Sequence, residues 1–278
     1  MLLLVLSREY IRMTDIKETV IQEVQMFQDG VFSRLSKEII REIHLEINLN
    51  AKKIAVIACS GRYADELAAG FLRSEGLLSS RDEIEKIEVS DTEHKVNIWT
   101  REQLPITLSS HKTIASSGAR GTGAGPALTR QPLREPPSRR IKPEDVFRMM
   151  DEFLSLASLH DSTGGTHAAA LADCDGGIIA VREDIGRHNT IDMLCGWALT
   201  GGVDLVDKLL LTTGRVSSEI VSKAWRMGVP IIVSHSAATS RAVMMAELLG
   251  IVIVGYVRSG KFIVYAGKEK IRLPEGSK

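Results

Sequence analysis

Val181-Arg182-Glu183-Asp184-Ile185-Gly186-Arg187-His188-Asn189-Thr190-Ile191-Asp192 lies where an apolar strand gives way to an amphipathic helix. Upstream, Gly177 to Val181 is a short apolar run. Downstream, Ile191, Leu194, Cys195 and Ala198 fall on one face of a helix over Asn189 to Leu199. A strand passing directly into a helix is the repeating unit of an α/β sheet. The joint crowds Arg, His, Asn and carboxylate side chains together. Ordering so many polar groups is costly unless something binds them, so the segment reads as a ligand site. The plainer alternative is a solvated loop that caps the next helix.

The same alternation continues outward. Ala168 to Ala172, Leu209 to Leu211, Ile231 to Ser234, Ile251 to Val257 and Phe262 to Tyr265 read as strands. Ser218 to Met227 and Ala238 to Leu249 read as helices, stopped by Gly228 with Pro230 and by Gly250. Near-continuous apolar strands joined by helices predict a largely parallel sheet covered on both faces. Ligands gather beyond the carboxyl ends of such strands. Arg182 to Asn189, Gly214 to Glu219 and Ser234 to Ser240 are expected there, each opening a helix. Free N–H groups and the helix dipole at such openings receive anions. Arg187 and Arg215 add forked contacts to phosphate, and Ser217, Ser218, Ser234, Ser236 and Thr239 add hydroxyls. Each serine alone reads as a helix cap. The three openings together point to a phosphate- or nucleotide-bearing ligand.

Toward the N-terminus, Ile16 to Phe27 and Ile43 to Leu49 alternate as strands do, and Lys53 to Ala58 is a short buried strand. Ala64 to Leu72 is a helix ended by Glu75-Gly76, and Ile87 to Val89 and Val96 to Trp99 are strands. Ser116 to Arg140 is rich in glycine, proline and arginine and almost free of large apolar residues, as a long flexible basic loop would be. Pro143-Glu144-Asp145 then starts a helix, with Val146, Met149, Met150, Phe153 and Leu154 as its apolar stripe. The expected organisation is a small α+β domain over residues 1–112, the basic loop over 113–141 and an α/β domain over 142–278.

Bulk properties narrow the function. With 44% hydrophobic and 25% charged residues, the 278-residue chain can build a sizeable soluble core. A formal net charge of +0 supplies no global field toward nucleic acid or membrane, so any anion attraction is local. Cys59, Cys174 and Cys195 have neither disulfide-framework nor zinc spacing, which fits a reducing, cytoplasmic setting. The apolar start Met1 to Leu6 is broken by Ser7-Arg8-Glu9, too short for a membrane span or signal core, and Met13 is an alternative start.

Gly255-Tyr256-Val257-Arg258-Ser259-Gly260-Lys261 is most of a P-loop, but Phe262 follows where Ser or Thr is needed, and a strand follows where a helix is needed. It reads instead as a turn whose Arg258 and Lys261 meet phosphate, or as a solvated hairpin tip. His44-Leu45-Glu46 matches half of a zinc deaminase signature without the P-C-x-x-C half, so no metal is assigned. His188 is placed for acid–base work or ligand hydrogen bonding; His167 and His235 are ligand contacts or satisfied structural histidines.

Six ordered blocks carry a family resemblance. They are Glu66 to Gly76, Thr163-Gly164-Gly165-Thr166-His167-Ala168-Ala169, Arg182 to Asp192, Thr213-Gly214-Arg215-Val216-Ser217-Ser218-Glu219, Ser234-His235-Ser236-Ala237-Ala238-Thr239-Ser240 and Gly255 to Phe262. Together they resemble the FdhD/NarQ family of formate dehydrogenase accessory proteins, sulfurtransferases or sulfur carriers. The resemblance implies a cytidine-deaminase-like α/β fold for the C-terminal domain. It implies a cytoplasmic homodimer with formate dehydrogenase and a cysteine desulfurase as partners. The implied client is the molybdenum cofactor bis-molybdopterin guanine dinucleotide, with GDP as a surrogate ligand. The residues expected to hold it are Arg187, His188, Arg215, Ser217, Tyr256, Val257, Arg258, Ser259, Gly260 and Lys261.

The chain departs from the family at one place. The family's loop carries Cys-Gly-x-Cys-Gly, whose thiolate accepts sulfur as a persulfide. Here the matching stretch is Ser116-Ser117-Gly118-Ala119-Arg120-Gly121, with Ser117 and Arg120 at the cysteine positions. Serine holds no persulfide, so no catalytic residue is intact and cofactor binding and delivery is the function expected to survive. Cys195 falls on an apolar helix face, Cys174 sits between carboxylates, and Cys59 at a strand end is the candidate substitute. The rival readings are a non-catalytic guanine-nucleotide or pterin-binding paralogue acting as scaffold or sensor, and a zinc deaminase, which lacks its ligands.

Overall fold

The computed structural model describes residues 17–102, 112–114, 140–174 and 176–272. Ser117, Arg120, the rest of the basic loop up to residue 139, and the two alternative starts lie outside the described residues. β1 (Thr19–Gln28) and β2 (Val31–Ile40) form an antiparallel ribbon. Asp29 and Gly30 turn it, both at positive φ (51° and 83°), the backbone that a two-residue hairpin turn needs. The strand reading found β1 and missed β2, although Asp-Gly between alternating apolar runs was its signal.

A five-stranded sheet follows, from β3 (Ile43–Leu49), β4 (Lys52–Cys59), β5 (Ile84–Ser90), β6 (Lys95–Thr100) and β7 (Lys112–Ile114), in the order β5-β6-β3-β4-β7. Helix α1 (Ala64–Ser74) packs Leu67, Phe71 and Leu72 against Leu45, Ile47 and Ile98 of that sheet.

The second half begins with α2 (Pro143–Leu156) and the short α3 (Ser158–Thr163). It continues through β8 (His167–Asp173), β9 (Ile178–Asp184), α4 (Arg187–Gly201), β10 (Lys208–Thr212), α5 (Ser218–Met227), β11 (Ile231–Ser234), α6 (Ser240–Leu249), β12 (Val252–Arg258) and β13 (Lys261–Ala266). The six strands line up as β13-β12-β11-β10-β8-β9. Both faces are covered. Ala169 and Leu171 of β8 join the core under α4, α5 and α6, while Ala168, Ala170 and Ala172 join the core under α2. This is the period-2 alternation of a strand buried on both sides.

The expectation of a largely parallel sheet is corrected. Only the β10–β11 and β11–β12 pairings are parallel; β8–β9, β10–β8 and β12–β13 are antiparallel. Tight turns between β8 and β9, and at Ser259-Gly260, fold neighbouring strands back, and apolarity alone does not reveal direction. β9, β10, β11 and β12 run the same way, so their carboxyl ends and the start of β8 share one edge.

Helix α4 is buried on all sides because two sheets claim it. Ile191, Leu194, Cys195 and Ala198 face the six-stranded sheet, while Met193 belongs to the core of the five-stranded half. Its other neighbour is α1. A Cβ on Gly70 would lie 1.7 Å from the Asp192 carbonyl oxygen, and one on Gly196 would lie 1.9 Å from that of Glu66. The two helices therefore touch backbone to backbone, and glycine is required at both positions by contact rather than by φ.

Candidate functional site at the carboxyl-end edge

Most of the polar signature does not face a ligand, which corrects the first reading of that segment. Arg182 Nε and Nη2 donate to Glu66 Oε2 and Oε1 at 2.5 and 2.8 Å, and the guanidinium lies 4.0 Å from the centre of the Tyr63 ring. Asp184 accepts from the Ser60 amide at 2.7 Å, from the Gly186 amide at 3.0 Å and from Asn189 Nδ2 at 2.7 Å. Asn189 Nδ2 also donates to the Ala58 carbonyl at 2.8 Å. Asp192 accepts from Ser74 Oγ at 2.6 Å and from Lys223 Nζ at 2.5 and 2.7 Å. The partner that offsets the ordering cost is the other half of the same chain. These partners lie 116 to 131 residues away for Arg182, Asp184 and Asn189, beyond the reach of a local reading. Burial pushes the Asp184 carboxyl up, while its hydrogen bonds pull it down.

Arg187 is different. It is half-buried, and its Nε has no hydrogen-bond partner among the described residues. Its stem lies on Gly214, where an added Cβ would sit 3.0 Å from the Arg187 Cβ. Gly214 thus leaves room for the arginine. Burial and the neighbouring Arg215 both weaken its hold on the proton. Arg187 and Arg215 act on one another electrostatically, Glu219 offsets part of that repulsion, and neither arginine makes an ion pair among the described residues. His167 at the start of β8 lies in the same field; burial first, then Arg187, His160 and Arg215, hold its pKa down.

The β12–β13 turn supplies the other side. Arg258 Nη1 meets the His235 ring, 3.0 Å from Nδ1 and closer to Nε2, and the guanidinium lies 5.3 Å from the centre of the Tyr256 ring. Tyr256 has φ 56°, inside a bulge between Gly255 and Arg258, and its amide donates to the Ser236 carbonyl at 2.8 Å. A left-handed tyrosine is costly for an L-residue, and bulges re-aim side chains at sites. Here Tyr256 is 43% exposed. The two clusters form one edge: the Thr213 amide donates to the Ala168 carbonyl beside His167, and the His235 amide donates to the Thr212 carbonyl, both at 3.0 Å. Ser259, Gly260 and Lys261 are exposed at the turn, whereas Val257 is buried in the core. β13 follows directly and pairs antiparallel with β12, as the rejection of a P-loop required. Ser217 Oγ and Thr239 Oγ1 cap α5 and α6, accepting from the Ile220 and Ala242 amides at 3.5 and 3.3 Å.

His188 is buried. Its Nε2 lies 3.0 Å from Glu219 Oε2, yet neither ring nitrogen is aligned for a hydrogen bond among the described residues. Burial, then Lys223 and Arg187, push its pKa down to about 3, so the ring is neutral and the contact is not an ion pair. The unfolded chain binds this proton near the usual histidine value of about 6.5. Between those values the unfolded state holds more protons, so stability is present above the unfolded pKa and is lost as pH falls. His188→Gln should flatten the loss of thermal stability between about pH 6.5 and pH 4. An unchanged slope in scanning calorimetry would contradict a neutral His188.

The cysteine expectations divide. Cys59 is fully buried and its thiol is pushed far up by burial and by Asp184, so it is no exposed nucleophile, a correction to its candidacy. Cys195 lies in the core with its thiol pushed up to about 12. Cys174 Sγ donates to the Asp207 carbonyl at 2.8 Å. Among the described residues no group of three or more His, Cys, Asp or Glu is placed to hold a metal, and no helix is long and apolar enough to cross a membrane.

The fold and this edge define an α/β protein whose arginines and histidines gather at the carboxyl ends of β9 to β12. Comparison with known proteins then places it: residues 40–272 match the FdhD/NarQ family, and the chain belongs to that family. It is 32% identical over 259 residues to the sulfur carrier protein FdhD of Bacillus subtilis (strain 168), covering 92% of this chain and 98% of that protein. It is 35% identical over 268 residues to the protein of the same name from Streptomyces avermitilis, covering 91% and 95%. The crystal structure of a protein described as a formate dehydrogenase accessory protein from Desulfotalea psychrophila shares the fold. Its TM-score is 0.75 at 23% identity, over 92% of this chain and 100% of that one.

Proposed function

We propose that this protein serves formate dehydrogenase maturation by binding bis-molybdopterin guanine dinucleotide at the carboxyl-end edge and delivering it to the enzyme. The observation that carries the reading is Arg187, half-buried beside Arg215 with no ion pair among the described residues. Arg187, Arg215, Arg258 and Lys261 are suited to the pyrophosphates, Tyr256 offers a ring face, and His167, its pKa held down, offers an uncharged imidazole. His188, Ser217 and Val257 shape the edge from behind rather than presenting charge to it. The reading also takes the α/β half as cytidine-deaminase-like, the chain as a cytoplasmic homodimer, and the cofactor as cargo rather than resident group.

The relatives are named sulfur carriers. In this chain the sulfur step has no exposed, activated thiolate of its own: all three cysteines are described, two of them buried, and Ser117 and Arg120 occupy the sequence positions of the family's cysteines. A serine oxygen is a poor nucleophile toward sulfur, and its alkoxide is inaccessible at neutral pH. Incubation with a cysteine desulfurase and cysteine should leave the protein without a stoichiometric adduct of about 32 Da, one added sulfur atom. A stoichiometric adduct on Cys59 or Cys174 would show that the carrier role persists on another residue.

A further inference from the structure

The ribbon of β1 and β2 belongs to neither larger sheet; β2 is tied at its base to α3, where Lys37 Nζ donates to the Ser162 carbonyl at 3.2 Å. It is two strands wide and ten residue pairs long, and it lies ahead of the matched residues 40–272. Two-stranded ribbons are marginal in water unless a further layer covers one face. The register fixes which residues share a face. From base to tip, one face carries the pairs Thr19–Ile40, Ile21–Glu38, Glu23–Ser36, Gln25–Arg34 and Phe27–Phe32. Ile21, Phe27 and Phe32 are 78%, 61% and 68% exposed, and the two rings meet at a tilt with their centroids 4.9 Å apart. Exposed aromatic and aliphatic groups at this density mark an interaction surface.

The β2 side of the face is complementary to itself. Glu23–Ser36 is its middle row, with two rows on either side. Turned end over end about an axis through that row, a second copy places β1 over β1 and β2 over β2. Arg34 then faces Glu38 of the other copy, and Glu38 faces its Arg34. Phe32 faces Ile40, and Phe27 faces Thr19. Each contact occurs twice, as an isologous interface requires. We propose that this face of the ribbon is where two copies of the chain pair, antiparallel, about a two-fold axis at Glu23 and Ser36. The inference rests on the homodimer reading and assigns its surface. A ribbon of this length offers a face about 33 Å long and about 10 Å wide, small for a specific interface, so the dimer should dissociate on dilution. Glu23 meets its own copy at the axis, so Glu23→Gln should tighten the pair.

Sedimentation of the full chain across a concentration series tests this. Phe27→Ser with Phe32→Ser should raise the dimer dissociation constant by about tenfold or more, because an aromatic pair is lost at each end of the interface. Arg34→Glu and Glu38→Arg should each weaken self-association. Mixed together, the two single variants should pair with each other more tightly than either pairs with itself, because only the mixed dimer satisfies both charge contacts. That signature does not follow from altered ribbon stability. Strengthened self-association on mixing, with GDP binding unchanged, supports the assignment. A wild-type chain that stays monomeric at every concentration would overturn both the dimer and its surface. A wild-type dimer indifferent to the phenylalanine and charge variants would overturn the surface alone. Variants that keep the dimer and lose binding to formate dehydrogenase would make the face a client contact and overturn the proposal.

Discussion

Gly196→Ala and Gly70→Ala should each abolish the native fold or cost it more than about 4 kcal/mol, the range reserved for severe steric or electrostatic lesions. Helix propensity argues the other way, since alanine is the better helix former by about 1 kcal/mol. Contact decides the sign. The added methyls would stand 1.7 and 1.9 Å from the carbonyl oxygens of Asp192 and Glu66, and backbone has no rotamer by which to yield. Separating α1 from α4 would also pull apart the polar ties that join the two halves. Gly201→Ala is the control: it ends the same helix, and its Cβ would meet only Val203 at an ordinary 3.5 Å. Solubility and denaturant midpoints of the three variants check this. A wild-type midpoint for Gly196→Ala would contradict the backbone contact.

Arg182→Met and Arg187→Met should separate stability from binding, although the two arginines are five residues apart. The Arg182 side chain is 10% exposed and that of Glu66 4% exposed. Removing one partner leaves an uncompensated buried carboxylate, at a cost of about 3–5 kcal/mol. Arg187 has no ion pair to lose among the described residues, and its removal relieves repulsion with Arg215 while giving up a longer-range attraction to Glu219. Its loss should leave the denaturant midpoint unchanged or slightly raised while weakening anion binding. The two midpoints measured side by side test the division. Equal destabilisation would mean that Arg187 is structural too, and the ligand edge would lose its principal cation.

This division marks the limit of what the sequence made legible. Strand and helix placement came through because apolar periodicity is local: β3, α5 and β11 have the bounds that their patterns predicted. The shared edge of Arg187, Arg215 and Arg258 was likewise foreseeable, since strand-to-helix joints collect at one end of a sheet. Strand direction was not, because an apolar run looks the same in either sense. The split within the signature segment was also hidden. Arg182 and Arg187 look alike in sequence, and only the fold brings Glu66 to one and leaves the other facing Gly214. α3 was missed because six residues carry too little periodicity; its first amides rest on the Glu183 carboxylate at 3.1 and 2.8 Å. Cys59 looked accessible at a strand end, but that end is covered by Asp184 and its network.

Calorimetric titration with GDP at two salt concentrations tests the central claim most directly. The account predicts saturable binding that weakens as salt rises, because contacts to phosphate are screened. It further predicts a loss of about 1–3 kcal/mol when Arg258→Ala and Lys261→Ala are combined, the usual range for charge-assisted hydrogen bonds. Arg187→Met with Arg215→Met should weaken binding at least as much. Affinity unchanged in both double variants, with the fold intact by circular dichroism, would contradict the assignment of this edge as the cofactor site.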